Sequence, residues 1–211
     1  MSGPVEHPAG RAPAHPVAGT GLRTEVHEAL PAGLAAQVAA LEEQAWPGAA
    51  AGHDPALAPK AVLLLDGSGS VTASLALLYK PVRFEEGRTY RAAGLSGVVT
   101  RAGLRGRGHG ARLVAAARAV LAADPAVDLA LFSCDRALAP FYEAAGFEVL
   151  PGTVLVGGTP ADPLATDAPG FDKLVLAAFF TADGEGRTDG VRAVFTGVRV
   201  PLHPGTVDRL W

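Results

Sequence analysis

Arg105-Gly106-Arg107-Gly108-His109-Gly110 is the stretch on which the reading of this chain turns. It follows an apolar, β-like run, Leu95 to Thr100, and leads straight into a helical pattern. Alternate glycines free the backbone to curl and to bring its N–H groups close to a ligand. The helix beyond adds unpaired N–H groups and the positive end of its dipole. A strand–turn–helix junction of this kind suits an anion, above all a phosphate or pyrophosphate. Arg105 and Arg107 add mobile positive charge, and the guanidinium fork matches phosphate oxygens in geometry.

Working outward, Ala61–Asp66, Val71–Tyr79 and Arg88–Thr100 read as strands separated by turn sequences, Asp66-Gly67-Ser68-Gly69 and Glu85-Glu86-Gly87. Together they predict an antiparallel meander. Gly94 and Gly97 inside the last strand predict a bulge or the close approach of another backbone. Upstream, Leu22–Leu30 reads as a first strand. Pro31 opens a helix through Trp46 with Leu34, Val38, Leu41 and Ala45 on one face. Downstream, Gly108–Ala123 is an amphipathic helix, Asp128–Ser133 a buried strand, and Ala137–Ala145 a short helix closed by Gly146. Phe147–Val156 is expected to return as a strand or hairpin, Gly157–Gly170 as a loop, and Lys173–Phe180 and Val191–Val200 as strands. The order is α/β in class, without a regular βαβαβ series.

The chain has 211 residues, 49% of them hydrophobic, which suits one large domain with its own core. We expect a flexible tail over residues 1–20 and a single domain over 21–211. His7 and His15 in that Pro-rich tail are expected to be solvated, and no metal is expected. No apolar run reaches membrane-span length, and the N-terminal residues lack the apolar centre of a signal peptide. With one cysteine, Cys134, an internal disulfide is excluded, and a cytoplasmic location is expected. A formal net charge of −3 gives no support to a nucleic-acid partner.

Three phosphate-binding patterns compete for the glycine turn. A P-loop needs Gly-Lys-Ser/Thr, whereas Gly110 is followed by Ala111-Arg112, so that reading fails. A dinucleotide fingerprint is met loosely by Gly106-x-Gly108-x-x-Ala111, with Asp135 near the place of its ribose acid. Too few βα units follow to build its doubly wound sheet. The third pattern is a family resemblance. Arg105 to Gly110 resembles the Arg/Gln-x-x-Gly-x-Gly/Ala signature of the GNAT acetyltransferase superfamily. One helix and one strand later, Ala139-Pro-Phe141-Tyr142-Glu-Ala-Ala-Gly146-Phe147 resembles that family's Ala-x-x-Phe-Tyr-x-x-x-Gly-Phe segment.

The resemblance covers about Arg88 to Val156. It implies the GNAT fold: a mixed central sheet, an antiparallel meander then a splayed parallel pair, flanked by helices. It also implies acetyl-CoA as co-substrate. Its pyrophosphate would rest on the turn from Arg105, Gly106 and Arg107 through Gly108, His109, Gly110 and Ala111. Its pantetheine arm would lie along the edge of Val98, Val99 and Thr100, and its thioester would point between Leu95–Val98 and Phe132–Cys134. Tyr142 is implied as the general acid for the departing sulfur; its bland alternative is packing beside Phe141.

A nearer resemblance, over Tyr90–Gly106, Gly146–Leu155 and a chain ending in Trp211, is to aminoglycoside 2′-N-acetyltransferases. Where those enzymes carry a glutamate that helps remove the amine proton, this chain has Ser96. Ser96 can hold a water that carries the proton but cannot deprotonate an ammonium unaided. Ser133, Asp135 and Trp211 are the expected acceptor-side residues, with Asp135 equally a candidate helix cap and Trp211 equally a homodimer contact. Glu85 and Glu86 are candidate acids that suit a solvated turn better. Cys134 reads as a small buried residue rather than a nucleophile, His109 as contributing backbone only, and Trp46 as core or groove wall.

The expected activity is therefore N-acetyl transfer to a small-molecule amine, an aminoglycoside being the nearest candidate. The alternatives are another metabolite amine, a protein N-terminus, or a degenerate module that binds acyl-CoA without transfer.

Overall fold

The computed structural model describes residues 21–49, 52–84, 87–159, 161–181 and 188–202. In chain order the elements are β1 (Arg23–His27), α1 (Ala32–Ala45), β2 (Lys60–Leu65), β3 (Val71–Arg83), β4 (Thr89–Thr100), α2 (His109–Ala123) and β5 (Leu129–Asp135). There follow α3 (Ala139–Glu143), β6 (Glu148–Val149), β7 (Val154–Gly158), β8 (Pro163–Ala165), β9 (Lys173–Phe179), α4 (Asp189–Phe195) and β10 (Arg199–Pro201). Seven strands form the main sheet in the order β1-β2-β3-β4-β5-β9-β6, and β10-β7-β8 form a second.

The meander is present: β1 to β4 pair antiparallel with their sequence neighbours. Its strands are apolar on both faces because both are covered. Leu63, Leu65, Val71 and Val99 meet α1 at Leu41, with Leu34, Val38 and Ala45 packed against them. Val62, Leu64, Ala73 and Leu75 join the other cluster, to which α2 contributes Leu113, Val114, Ala117 and Leu121. Each helix buries the face that its apolar spacing predicts.

Two details shape the middle of the sheet. Opposite β3, Ser74 pairs with Val99 and Ala76 with Ser96, so Gly97 and Val98 together face Leu75 alone. This is the expected bulge in β4. Gly97 takes φ +59°, a left-handed conformation that side chains rarely adopt. On the other side, β4 runs parallel to β5 but registers with it only at Ala92–Leu129 and Ala93–Ala130. Beyond Ala93 the two strands part.

Asp128 holds the closed end of that V. Its carboxylate accepts from the Arg91 amide (2.8 Å), from Arg91 Nη2 (2.6 Å) and from Thr181 Oγ1 (2.9 Å). Its own amide donates to Arg91 O at 2.8 Å. The Arg91 guanidinium holds the largely buried carboxyl down to about 2.

Three expectations after Gly146 need correction. Phe147–Val156 is not one strand or hairpin: β6 pairs with β9 in the main sheet, whereas β7 belongs to the second. Pro151-Gly152, with Gly152 at φ +71°, breaks the run between them. Gly157–Gly170 is not all loop, since β7 reaches Gly158 and β8 pairs back on it. Val191–Val200 is not a strand. Val191 and Phe195, four apart, bury one face of the short helix α4, and only Arg199–Pro201 is extended. The turn residues Glu85 and Glu86, the tail over 1–20 and the segment 203–211 lie outside the described residues. No described helix is long and apolar enough to cross a membrane.

Candidate active site

Where β4 and β5 part, the edge of β4 faces a cavity of about 520 Å³. Its wall follows β4 through Val98, Val99 and Thr100, then the turn at Leu104, Arg105, Gly106 and Gly108, and enters α2 at His109, Gly110 and Ala111. Phe141 and Tyr142 of α3, Leu138 before it, and Ala45 and Trp46 at the end of α1 complete the lining. The three segments named from sequence, the strand edge, the glycine turn and the Phe-Tyr pair, thus meet around one space.

The turn is shaped by its glycines. Gly106 and Gly108 take φ +75° and +80°, which coil the chain ahead of the helix. Gly110 serves differently. A methyl group there would stand 3.1 Å from Thr100 Oγ1 and 3.4 Å from Phe141 Cζ, so the bare backbone lets α2 press against both β4 and α3. Within the helix start, the first amide with a well-formed bond to a backbone carbonyl outside the helix is that of Arg112, which donates to Gly108 O at 3.0 Å. The amides from Gly106 to Ala111 make no comparable bond among the described residues. They are the orphan donors of a helix N-terminus, and they suit an anion. Arg105 Nε donates to Thr100 O at 3.3 Å, tying the turn to the strand end. Arg107 is exposed and lies outside the cavity wall.

Tyr142 is only 7% exposed, yet it lines the cavity. Its ring stands edge-on to Phe132, Phe141 and Phe147, with centroids 5.1, 4.9 and 6.4 Å away. Burial, aided by the neighbouring acidic groups Cys134 and Asp135, pushes its phenol above the ordinary tyrosine range. The hydroxyl therefore keeps its proton at neutral pH. Cys134 is also buried, its Sγ–H donates to Asp135 O at 3.2 Å, and burial pushes the thiol up to about 11. A thiol held protonated is a poor nucleophile, in keeping with its reading as a packing residue.

The remaining candidates divide. Ser96 is half-buried on β4 beside the bulge, just past Val98 and outside the mapped wall. Ser133 is half-buried on β5, also outside it. The Asp135 carboxylate accepts from Lys173 Nζ at 2.7 Å and makes no side-chain cap to the helical turn that follows. Trp211 lies outside the described residues. Sequence reading did not anticipate Leu104 and Leu138 as wall. Leu138 is 46% exposed and Trp46 44%, a pair of apolar rims to the cavity. No periodic signal marks a rim residue, because it belongs to neither a core face nor a polar one. Among the described residues no cluster of three or more His, Cys, Asp or Glu side chains stands ready for a metal ion.

A meander, a parallel pair that opens at its centre, and a helix N-terminus at the open end define the GNAT class of acyltransferase fold. The family comparison agrees: the acetyltransferase (GNAT) domain matches residues 28–150, and the chain belongs to that family. Solved structures share the fold at low identity. A GNAT family N-acetyltransferase (YhbS) from Escherichia coli, in complex with CoA, is 18% identical. That match covers 90% of this chain and 93% of the other, with a TM-score of 0.54. NAA60 of Arabidopsis thaliana, in complex with a bisubstrate analogue, matches at 10% identity over 75% of this chain and 98% of its own, TM-score 0.51. An acyl-CoA N-acyltransferase from Pseudomonas aeruginosa matches at 18% over 74% and 99%, TM-score 0.50. No curated protein matches the chain.

Proposed function

We propose that this protein transfers the acetyl group of acetyl-CoA, by direct attack, to an amine of a small cationic acceptor. The observation that carries the reading is the parting of β4 from β5 after Ala93, which leaves Val98–Thr100 bordering a cavity that ends on the Gly106–Ala111 amides. A CoA molecule fits those features in order. The amides and Arg105 suit its pyrophosphate, and the free edge of β4 suits the amides of its pantetheine arm. The apolar rims Trp46 and Leu138 suit the arm's methylenes.

Transfer to an amine needs a neutral nucleophile, a polarised thioester carbonyl and a protonated leaving group. The thioester is already activated, so the nitrogen attacks it directly and no acyl-enzyme forms. In this reading a backbone N–H near Val98 polarises the carbonyl. Tyr142, protonated at the working pH, supplies the proton to the sulfur as the C–S bond breaks, and takes one back from solvent. Ser96 and Ser133 flank the acceptor side of the cleft. Asp135, with its charge shared by Lys173, adds a carboxylate there, within one domain over residues 21–211. An aminoglycoside amine is the acceptor to which the sequence resemblance points.

The test is thiol release from acetyl-CoA in the presence of aminoglycosides, simple diamines and peptides. Turnover with a 2′-amino aminoglycoside but not its 2′-hydroxy analogue is the expected result. Thermal stabilisation by acetyl-CoA without turnover on any amine would replace transfer with acyl-CoA binding alone.

A further inference from the structure

The cavity has a direction. From the glycine turn its wall runs back along β4 through Thr100, Val99 and Val98, and along α1 through Trp46 and Ala45. A pyrophosphate at the turn and an arm along the strand put the acyl end just past Val98. The next residue on β4 is Gly97, at the bulge, and one turn back from Ala45 and Trp46 on the same face of α1 is Glu42. The two meet: a methyl group placed on Gly97 would stand 3.7 Å from Glu42 Oε1. Without a side chain at Gly97, the carboxylate borders the bulge directly.

Building on the acetyl-transfer reading above, we infer that Glu42 is the carboxylate that receives the acceptor's ammonium group and takes its proton. Ser96, the neighbouring β4 side chain, cannot do this unaided. Glu42 takes one N–H proton and passes it to solvent. The freed nitrogen lone pair forms the C–N bond, the C–S bond breaks, and Tyr142 protonates the sulfur. The second N–H proton leaves to solvent as the amide forms, so each turnover releases one proton. Burial pushes the half-buried Glu42 carboxyl above its ordinary range, against the opposing charge of His53, the ionisable group that acts on it among the described residues. A carboxylate of raised basicity accepts a proton more readily, as a base in this position must. The adjacent Glu43 is engaged elsewhere, accepting from the Gly48 amide at 3.3 Å.

The experiment needs no knowledge of the natural acceptor. Calorimetry at pH 8 compares CoA with two thioethers of it, one carrying an S-aminoethyl and one an S-hydroxyethyl group. The wild type is expected to favour the ammonium thioether by about tenfold, and Glu42→Gln to abolish that preference while binding CoA itself unchanged. Glu42→Asp is expected to retain part of it. Equal binding of both thioethers by the wild type, or a preference that survives in Glu42→Gln, overturns the assignment. Failure of CoA itself to bind the wild type overturns the acetyl-transfer reading instead, and the assignment with it.

Discussion

At the scale of single residues, the site depends on keeping protons where the chemistry needs them. Tyr142 and Cys134 are close in the fold, and burial pushes both groups up. For a nucleophilic thiol this is disabling; a phenol is protonated at neutral pH in any case, and burial keeps it so to higher pH. Tyr142→Phe is expected to slow thiol release by about 10²-fold or more, the usual scale for a lost general acid, with acetyl-CoA affinity unchanged. Steady-state kinetics alongside calorimetry checks this, and an unaltered kcat would remove Tyr142 from the reaction. The Phe-Tyr pair was legible in the sequence through its motif. Glu42 was not. In the run Leu-Glu42-Glu43-Gln it looks like its neighbour, and only the packing of α1 over the β4 bulge separates a half-buried carboxylate from one that anchors a loop amide.

At the scale of elements, the opening between β4 and β5 matters because its other end is shut. Asp128 joins the two strands through Arg91 and reaches Thr181 beyond β9. Its carboxyl is held at about 2 against an ordinary 3.8, so the folded state holds its proton less tightly than the unfolded chain. The resulting stability is present above the unfolded value and is lost as pH falls toward the folded one. It amounts to about 2 kcal/mol. Denaturant titrations at pH 7 and pH 2.5 are expected to differ by less in Asp128→Asn than in the wild type. An equal pH dependence in both would place the acid sensitivity elsewhere. The sequence marked Asp128 only as the start of a strand, because its partners lie 37 and 53 positions away.

At the scale of the whole molecule, the second sheet and α4 join the main core rather than standing apart. Phe195 is fully buried and meets Phe84 and Tyr90 edge-on, with centroids 5.1 and 5.0 Å away. Buried Thr153 ties β7 to the end of α4, with Oγ1 donating to Phe195 O at 2.6 Å and accepting from the Gly197 amide at 3.1 Å. Thr153→Val keeps the shape and leaves both groups without that partner, at a cost of about 1–3 kcal/mol. Thermal unfolding should shift downward by several degrees. A change within error would mean that solvent replaces the hydroxyl.

The sequence by itself determined the meander, the two principal helices with their buried faces, the glycine turn and the Phe-Tyr segment. These rest on local signals: periodicity, glycine placement and motif spacing over a few residues. After Gly146 the same signals misled. Val191–Val200 has strand-like composition, but the burial of Val191 and Phe195 against a core built by distant strands makes it helical. Only the tertiary structure decided that β4 leaves β5 after two residue pairs, that Trp46 and Leu138 rim the resulting cavity, and that Glu42 reaches the bulge at Gly97. Each of those facts depends on segments far apart in the chain, joined by packing, which leaves no periodic trace in any one of them.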